Sequence, residues 1–163
     1  MTKQADSTRP TDNEARALAR RLIAEARFGA LGVLAPQSGA PMVTRIAVGT
    51  DEAGAPVTLV SSLSGHTAAM KAHSACSLLL GEPGPKGDPL THPRLTVQCE
   101  AAFVSRGAPE HSAMREHWLK QHPKAKLYVD FMDFGFVRLT PVSAFLNGGF
   151  GQAFRLTPAD LGL

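Results

Sequence analysis

From Ser61 to Lys71 the chain reads as the end of an apolar strand running into the start of a helix, and hydroxyls crowd the joint: Ser61, Ser62, Ser64 and Thr67. A helix start leaves N–H groups unpaired and carries partial positive charge, so such a joint attracts phosphates and carboxylates. Gly65 lets a ligand approach the backbone, His66 adds a ring donor and Lys71 adds charge. The same residues would also serve an ordinary helix cap. Arg45 lies inside the apolar run Met42 to Thr50, where a bare charge is costly unless it is paired or faces a ligand. With its stem packed along a barrel surface it would equally be structural. The expected chemistry is anion binding by Arg45, Ser61, Ser62, His66, Thr67 and Lys71, with no catalytic residue assigned.

The elements that must position these residues follow from the hydrophobic pattern. Residues 1 to 10 read as a mobile tail. Thr11 with Glu14 makes a capping box, and Ala15, Leu18, Ala19, Leu22, Ile23 and Ala26 recur at helical spacing, so a helix is predicted over residues 12 to 26. Short apolar runs separated by turn residues then predict strands at Phe28 to Ala35, Met42 to Thr50 and Val57 to Ser62. A short helix is expected from Ser64 to His73 and a fourth strand from Cys76 to Leu80. The proline- and glycine-rich stretch 81 to 93 reads as a loop. Arg94 to Val104 alternates as a half-buried strand, Pro109 to Gln121 reads as a helix, and Pro123 restarts a second short one. Two strands, Phe134 to Thr140 and Pro141 to Asn147, are expected before Gly148, Gly149 and Gly151 break the pattern, with a final helical turn at Thr157. Strands this short and this evenly spaced predict one mainly β domain over residues 11 to 163, an antiparallel barrel of six or seven strands with peripheral helices.

Composition narrows the function. Hydrophobic residues make up 44% of the 163 and charged residues 19%, a globular balance. The net charge of +3 is not gathered into a basic face, which argues against nucleic acid as a partner. The polar start of the chain lacks the apolar centre of a secretory signal and no run approaches membrane-spanning length, so a cytosolic protein is expected. Cys76 and Cys99 lack metal or redox spacing and read as buried thiols. His111, His117 and His122 are offset by intervals that do not share a helical face, so no metal site is expected.

Taken in order, several short pieces carry a resemblance. They are Arg27-Phe28-Gly29-Ala30-Leu31, Thr44-Arg45, Ser61-Ser62-Leu63-Ser64-Gly65-His66-Thr67, Leu78 to Pro83, Gly87 to Thr96, His122-Pro123, Asp130-Phe131 with Asp133-Phe134, and Gly148-Gly149-Phe150-Gly151. The chain resembles the pyridoxamine-phosphate-oxidase-like, FMN-binding split-barrel flavoproteins, and among them the branch of haem-utilisation proteins. The resemblance implies a homodimer holding FMN at the subunit interface, with Arg45, Ser61, Ser62, His66 and Thr67 at the family's phosphate-contacting positions. Two departures stand out. His66-Thr67 replaces the Arg-Lys pair of the oxidases, leaving Lys71 to compensate, and the segment 146 to 152 lacks their Arg-x-His substrate motif. The implied function is an FMN-dependent oxidoreductase acting on an unidentified small molecule. The alternatives are a haem-binding or haem-degrading protein, with His66 or His92 on the iron, and a non-catalytic ligand-binding domain.

Overall fold

A computed structural model describes residues 8 to 163, so most of the expected N-terminal tail lies outside the described residues. Its elements are α1 (Asn13–Glu25), β1 (Phe28–Leu34), β2 (Pro41–Ala47), β3 (Gly49–Thr50), β4 (Pro56–Ser61), α2 (Gly65–Ala72), β5 (Ala75–Leu80), β6 (Arg94–Val104), α3 (Pro109–Gln121), β7 (Phe134–Asn147) and β8 (Ala153–Leu156). Short 3₁₀ turns lie at Pro89–Thr91 and Pro123–Leu127.

The strands form one antiparallel sheet in the order β2-β1-β5-β6-β7-β4-β3, with β8 added on β7. The two ends of that order, β2 and β3, are neighbours in the chain, joined through Val48 alone. The sheet must therefore curl back on itself, yet its ends are joined by covalent chain and not by a hydrogen-bonded ladder. This is a split barrel. Alternation of side chains sends Leu31, Val33, Leu78, Leu80, Leu95, Val97 and Leu139 to the inside, all buried, where Ala15, Ala19 and Ile23 of α1 pack with them. A second core lies under α3, where Trp118, Met114 and Phe136 meet Val57 and Leu59.

The structure corrects four local expectations. The α1 cap is Asp12, whose carboxylate accepts from the Ala15 N–H at 2.8 Å. Thr11 instead donates its hydroxyl to the Arg155 carbonyl, 2.6 Å away. The run Met42 to Thr50 divides at Val48 into β2 and β3. The two strands expected on either side of Pro141 are one, β7, because the register shifts there: Gln98 pairs with Ser143 but Cys99 with Pro141. Val142 is the extra residue of a bulge, where a proline's missing N–H leaves no gap in the ladder. Beyond the glycine-rich turn, where no strand is expected, the chain returns as β8, which pairs with β7 beside the seven-strand path of the sheet.

Both ends of the described residues are tied to the barrel. Arg9 donates its N–H to the Ala153 carbonyl at 2.8 Å, inside the stretch read as tail. At the other end Asp160 accepts from the Thr157 N–H at 2.9 Å and from Arg16 Nε on α1 at 2.7 Å. The Thr157 N–H, then Arg16, hold the Asp160 carboxyl down to about 2. A depressed carboxyl stabilises the fold above its unfolded value of about 3.9 and loses that contribution as pH falls through the folded value. Asp160→Asn should therefore melt earlier than the parent at neutral pH, and the two melting temperatures should converge between about pH 4 and pH 2.

Cys76 and Cys99 face each other across β5 and β6, both buried and free. Burial, with Glu100 nearby, pushes the Cys76 thiol up to about 11, and burial with Cys76 and Glu100 pushes Cys99 higher still. Both are thiols at neutral pH, and the nucleophile is the thiolate. An Ellman assay should find no reactive thiol in the native protein and 2 after unfolding.

Candidate functional site

α2 starts where β4 ends, and four hydrogen bonds fix that joint. Thr67, fully buried, donates its hydroxyl back to the Ser61 carbonyl at 2.7 Å. The Ser61 hydroxyl donates to the Asp133 carboxylate at 2.7 Å and accepts from the Leu63 N–H at 3.1 Å. The Ser62 N–H donates to the Asp133 carbonyl at 2.6 Å. Ser61 and Thr67 thus spend their hydroxyl protons on the protein, while the Ser62 side chain is exposed. Ser64 occupies the N-cap position in extended conformation, yet its side chain makes no capping bond. Its carbonyl takes the N–H groups of Thr67 and Ala68. The first turn of α2 therefore lacks the side-chain oxygen that normally satisfies a helix start.

His66 lies in that first turn with Nδ1 3.3 Å from the Thr44 hydroxyl on β2. Burial holds its pKa below the ordinary 6.5, so the ring is neutral at neutral pH. Arg45, next in the chain to Thr44, points to the other side of β2. Its guanidinium is exposed over the Phe28 ring, 5.6 Å from the centroid. Lys71 lies six residues after Gly65, about 9 Å along the axis at 1.5 Å per residue, and packs over Phe103 at 5.6 Å. It shares a cavity of ≈ 160 Å³ with Ser62, Thr67 and Asp133. The expected residues therefore form two groups: His66 and Arg45 flank β2, while Ser62, Thr67 and Lys71 line the opposite flank of the helix.

His92 is placed elsewhere and is fully engaged. Its Nδ1 accepts from the Gly84 N–H at 3.1 Å, and its Nε2 lies 2.8 Å from the Lys86 carbonyl. A carbonyl can only accept, so Nε2 carries the proton and both ring nitrogens are spent on ordering loop 81 to 93. On α3 and at its C-cap the histidines also have separate structural tasks. His117 meets Gln121, His122 Nε2 donates to the Val48 carbonyl at 2.8 Å, and His111 packs on Phe136. Sequence reasoning did not single out Phe28 as the ring under Arg45 or Asp133 as the clamp on Ser61. Both arise from cross-strand neighbours that no local spacing encodes.

The family model for the CREG β-barrel matches residues 10 to 161. The protein named non-canonical heme oxygenase HOZ, chloroplastic, from Arabidopsis thaliana is 36% identical over 118 residues, 71% of this chain and 34% of that protein. The chain thus spans about a third of that relative's length. A solved heme binding protein from Mycobacterium smegmatis superposes with a TM-score of 0.82 at 26% identity, covering 95% of this chain and 61% of the other. Campylobacter jejuni ChuZ superposes at 0.79 with 19% identity, over 96% of this chain and 64% of that one, a likeness of fold. The matched residues run through all eight strands and the α2 joint, and the chain belongs to the CREG β-barrel family, a split barrel of the pyridoxamine-phosphate-oxidase-like kind.

Proposed function

We propose that this protein binds haem as a homodimer, with His66 as iron ligand and Arg45 as a partner for a propionate. The state of His66 carries the reading. Its ring is neutral through burial, oriented through Nδ1 by Thr44, and Nε2 takes no partner among the described hydrogen bonds. An imidazole must be neutral to ligate, and a hydrogen bond on the other nitrogen is what orients such ligands. Of the two histidines considered, only His66 meets the condition, since His92 has no nitrogen to spare. The names of the Arabidopsis and mycobacterial relatives support the same ligand class. Haem, when bound, would supply redox and oxygen chemistry, and the chain supplies binding, orientation and charge.

A second reading, FMN bound by its phosphate, is favoured by the uncapped start of α2 beside Ser62. In that case the flavin would make the protein an oxidoreductase for a small molecule. The charge present is low for that task, because His66 is neutral and Lys71 lies along the helix on Phe103.

The dimer is supported by the outer face of the sheet, which exposes Phe28, Leu34, Val43, Leu79 and Phe145, with Val43 at 70%. Contiguous apolar surface of this kind marks an interface on a folded domain. Two reduced thiols suit a reducing compartment, the cytosol. No described helix is long and apolar enough to cross a membrane.

Absorption titration of the purified protein with haem and with FMN tests the reading. A saturable Soret band at one haem per subunit, with weak FMN binding, is expected. Saturable FMN binding without a Soret band would overturn it in favour of the flavin.

A further inference from the structure

Leu63, Leu127, Met132 and Phe150 are each at least 80% exposed, more than any other large apolar side chain among the described residues. Phe150 stands beyond the far end of β7, but a chain of contacts joins the other three. The Ser62 N–H donates to the Asp133 carbonyl at 2.6 Å, which brings the chain at Leu63 alongside the chain at Met132. Met132, Phe134 and Phe103 line one cavity with Lys71. The Phe134 ring meets Phe131 at 6.4 Å and Tyr128, the neighbour of Leu127, at 5.0 Å. Phe131 and Phe103 are exposed as well. Phe103 alternates along β6 with Leu95, Val97 and Cys99, which face the core, so this corner lies at the mouth of the barrel and not on its outer face.

The tips are held out by an ordered backbone. Arg106 donates to three carbonyls of one segment: Asp130 at 3.5 Å, Phe131, and Phe134 at 2.9 Å. The Leu63 N–H donates to the Ser61 hydroxyl at 3.1 Å, and the Phe131 N–H to the Tyr128 carbonyl at 2.9 Å. Apolar tips fixed in water are unfavourable for the free protein, and a contiguous patch of them marks a surface that docks.

The surrounding charge selects the partner. Residues 117 to 129 hold Lys120, Lys124 and Lys126 and no acid. All three are exposed, and they and Lys71 form no ion pair among the described residues. The nearby arginines are engaged by the fold, Arg106 with those carbonyls and Arg115 with Asp130 at 2.5 Å. Asp133 accepts from the Ser61 hydroxyl. The free charge of this corner is therefore lysine. Protein interfaces are poor in lysine and rich in arginine, whereas lysines around an apolar patch are what an anionic lipid surface attracts. A lysine stem also lets the ammonium stay among head groups while shorter apolar tips enter the acyl boundary. We propose that this corner docks the protein on an anionic bilayer surface, with Leu63, Leu127, Phe131 and Met132 in the boundary and Lys120, Lys124 and Lys126 on lipid phosphates. With no described helix fit to cross a membrane, the attachment made by this corner is peripheral and reversible. It does not depend on which ligand the protein binds.

Co-sedimentation of the full chain with vesicles tests it. Vesicles of phosphatidylglycerol and phosphatidylcholine in equal parts should carry the protein down, and phosphatidylcholine alone should not. Lys124→Gln combined with Lys126→Gln should weaken binding about 25-fold, about fivefold for each charge. Leu127→Ser and Met132→Ser should each weaken it about tenfold. These positions are exposed, so every variant should melt like the parent. Lys86→Gln, on loop 81 to 93, should bind like the parent. Because Cys76 and Cys99 are buried, a Met132→Cys variant takes a thiol-reactive dye at one place. The emission of an environment-sensitive dye there should move to the blue on anionic vesicles, while the same dye on Phe150→Cys should not respond. No binding by the parent, equal binding to phosphatidylcholine alone, or equal dye shifts at both positions would overturn the docking corner. So would a changed oligomeric state of Leu127→Ser or Met132→Ser in sedimentation without lipid, which would assign the corner to a second copy of the chain.

Discussion

Replacing His66 with alanine is expected to weaken haem binding by about a hundredfold, on the order of 3 kcal/mol at about 1.4 kcal/mol per decade, and to displace the Soret band. The size of the effect follows from the scarcity of ligands. His92 is consumed by Gly84 and Lys86, and His122 by the Val48 carbonyl, so no described alternative stands ready to replace the lost nitrogen there. His92→Ala is the contrasting variant. It should leave the band in place while opening loop 81 to 93 to proteolysis, because the imidazole is that loop's clasp. The pH dependence has a defined sign. Burial lowers the His66 pKa from 6.5, so the neutral, ligating ring persists below the ordinary histidine range and haem is released only as pH falls further. The same burial disfavours the charged ring in the fold, so stability is fully present above the unfolded value and is lost as pH falls through the folded one. An unchanged Soret band in His66→Ala would sink the assignment of the iron ligand.

The sequence disclosed this site unevenly, and the reasons are physical. Alternation along Arg94 to Val104 and the apolar runs before it were enough to place β1, β4, β5 and β6, because a side chain's face in a strand is a local property. The α2 joint was legible for the same reason: strand end, serines and glycine are all near neighbours in the chain. Strand β8 was not: it has only four residues after a glycine-rich turn, and nothing local says that it pairs with β7. Pro141 misled because a missing N–H ends an ordinary strand, whereas here a bulge sits beside it. Thr11 and Asp12 are both competent helix caps, and the choice is made by the Arg155 carbonyl, a partner 144 residues away. Lys71 has a partner that the sequence does not show. Its position in the chain suggested charge at the helix start, but its ammonium rests on Phe103, a residue of another strand.

Trp118→Ala should cost about 3–5 kcal/mol of folding stability, the usual range for emptying a buried aromatic site. Trp118 is 1% exposed and stands at the centre of the second core, stacked on His122 at 4.2 Å and edge-on to Phe136 at 5.8 Å. Those contacts join three elements, since His122 in turn donates to the Val48 carbonyl between β2 and β3. The seam of the split barrel, closed by chain and not by hydrogen bonds, is thereby fastened from outside by the end of α3. Gly49 shows how tight that fastening is: a Cβ there would lie 3.1 Å from the Trp118 ring and 2.2 Å from the Gln121 amide oxygen. Gln121 is itself bound to Thr50 twice, its amide oxygen accepting from the Thr50 N–H and its amide nitrogen donating to the Thr50 hydroxyl. The alanine variant should therefore melt roughly 6–20 °C below the parent, at about 2–4 °C per kcal/mol for a domain of this size. Hydrogen exchange should rise first at Val48 to Thr50. The α2 joint is held by Asp133 and Thr67 instead, so its protection should fall only with global unfolding. A melting temperature within about 2 °C of the parent would show that α3 is not what holds the seam closed.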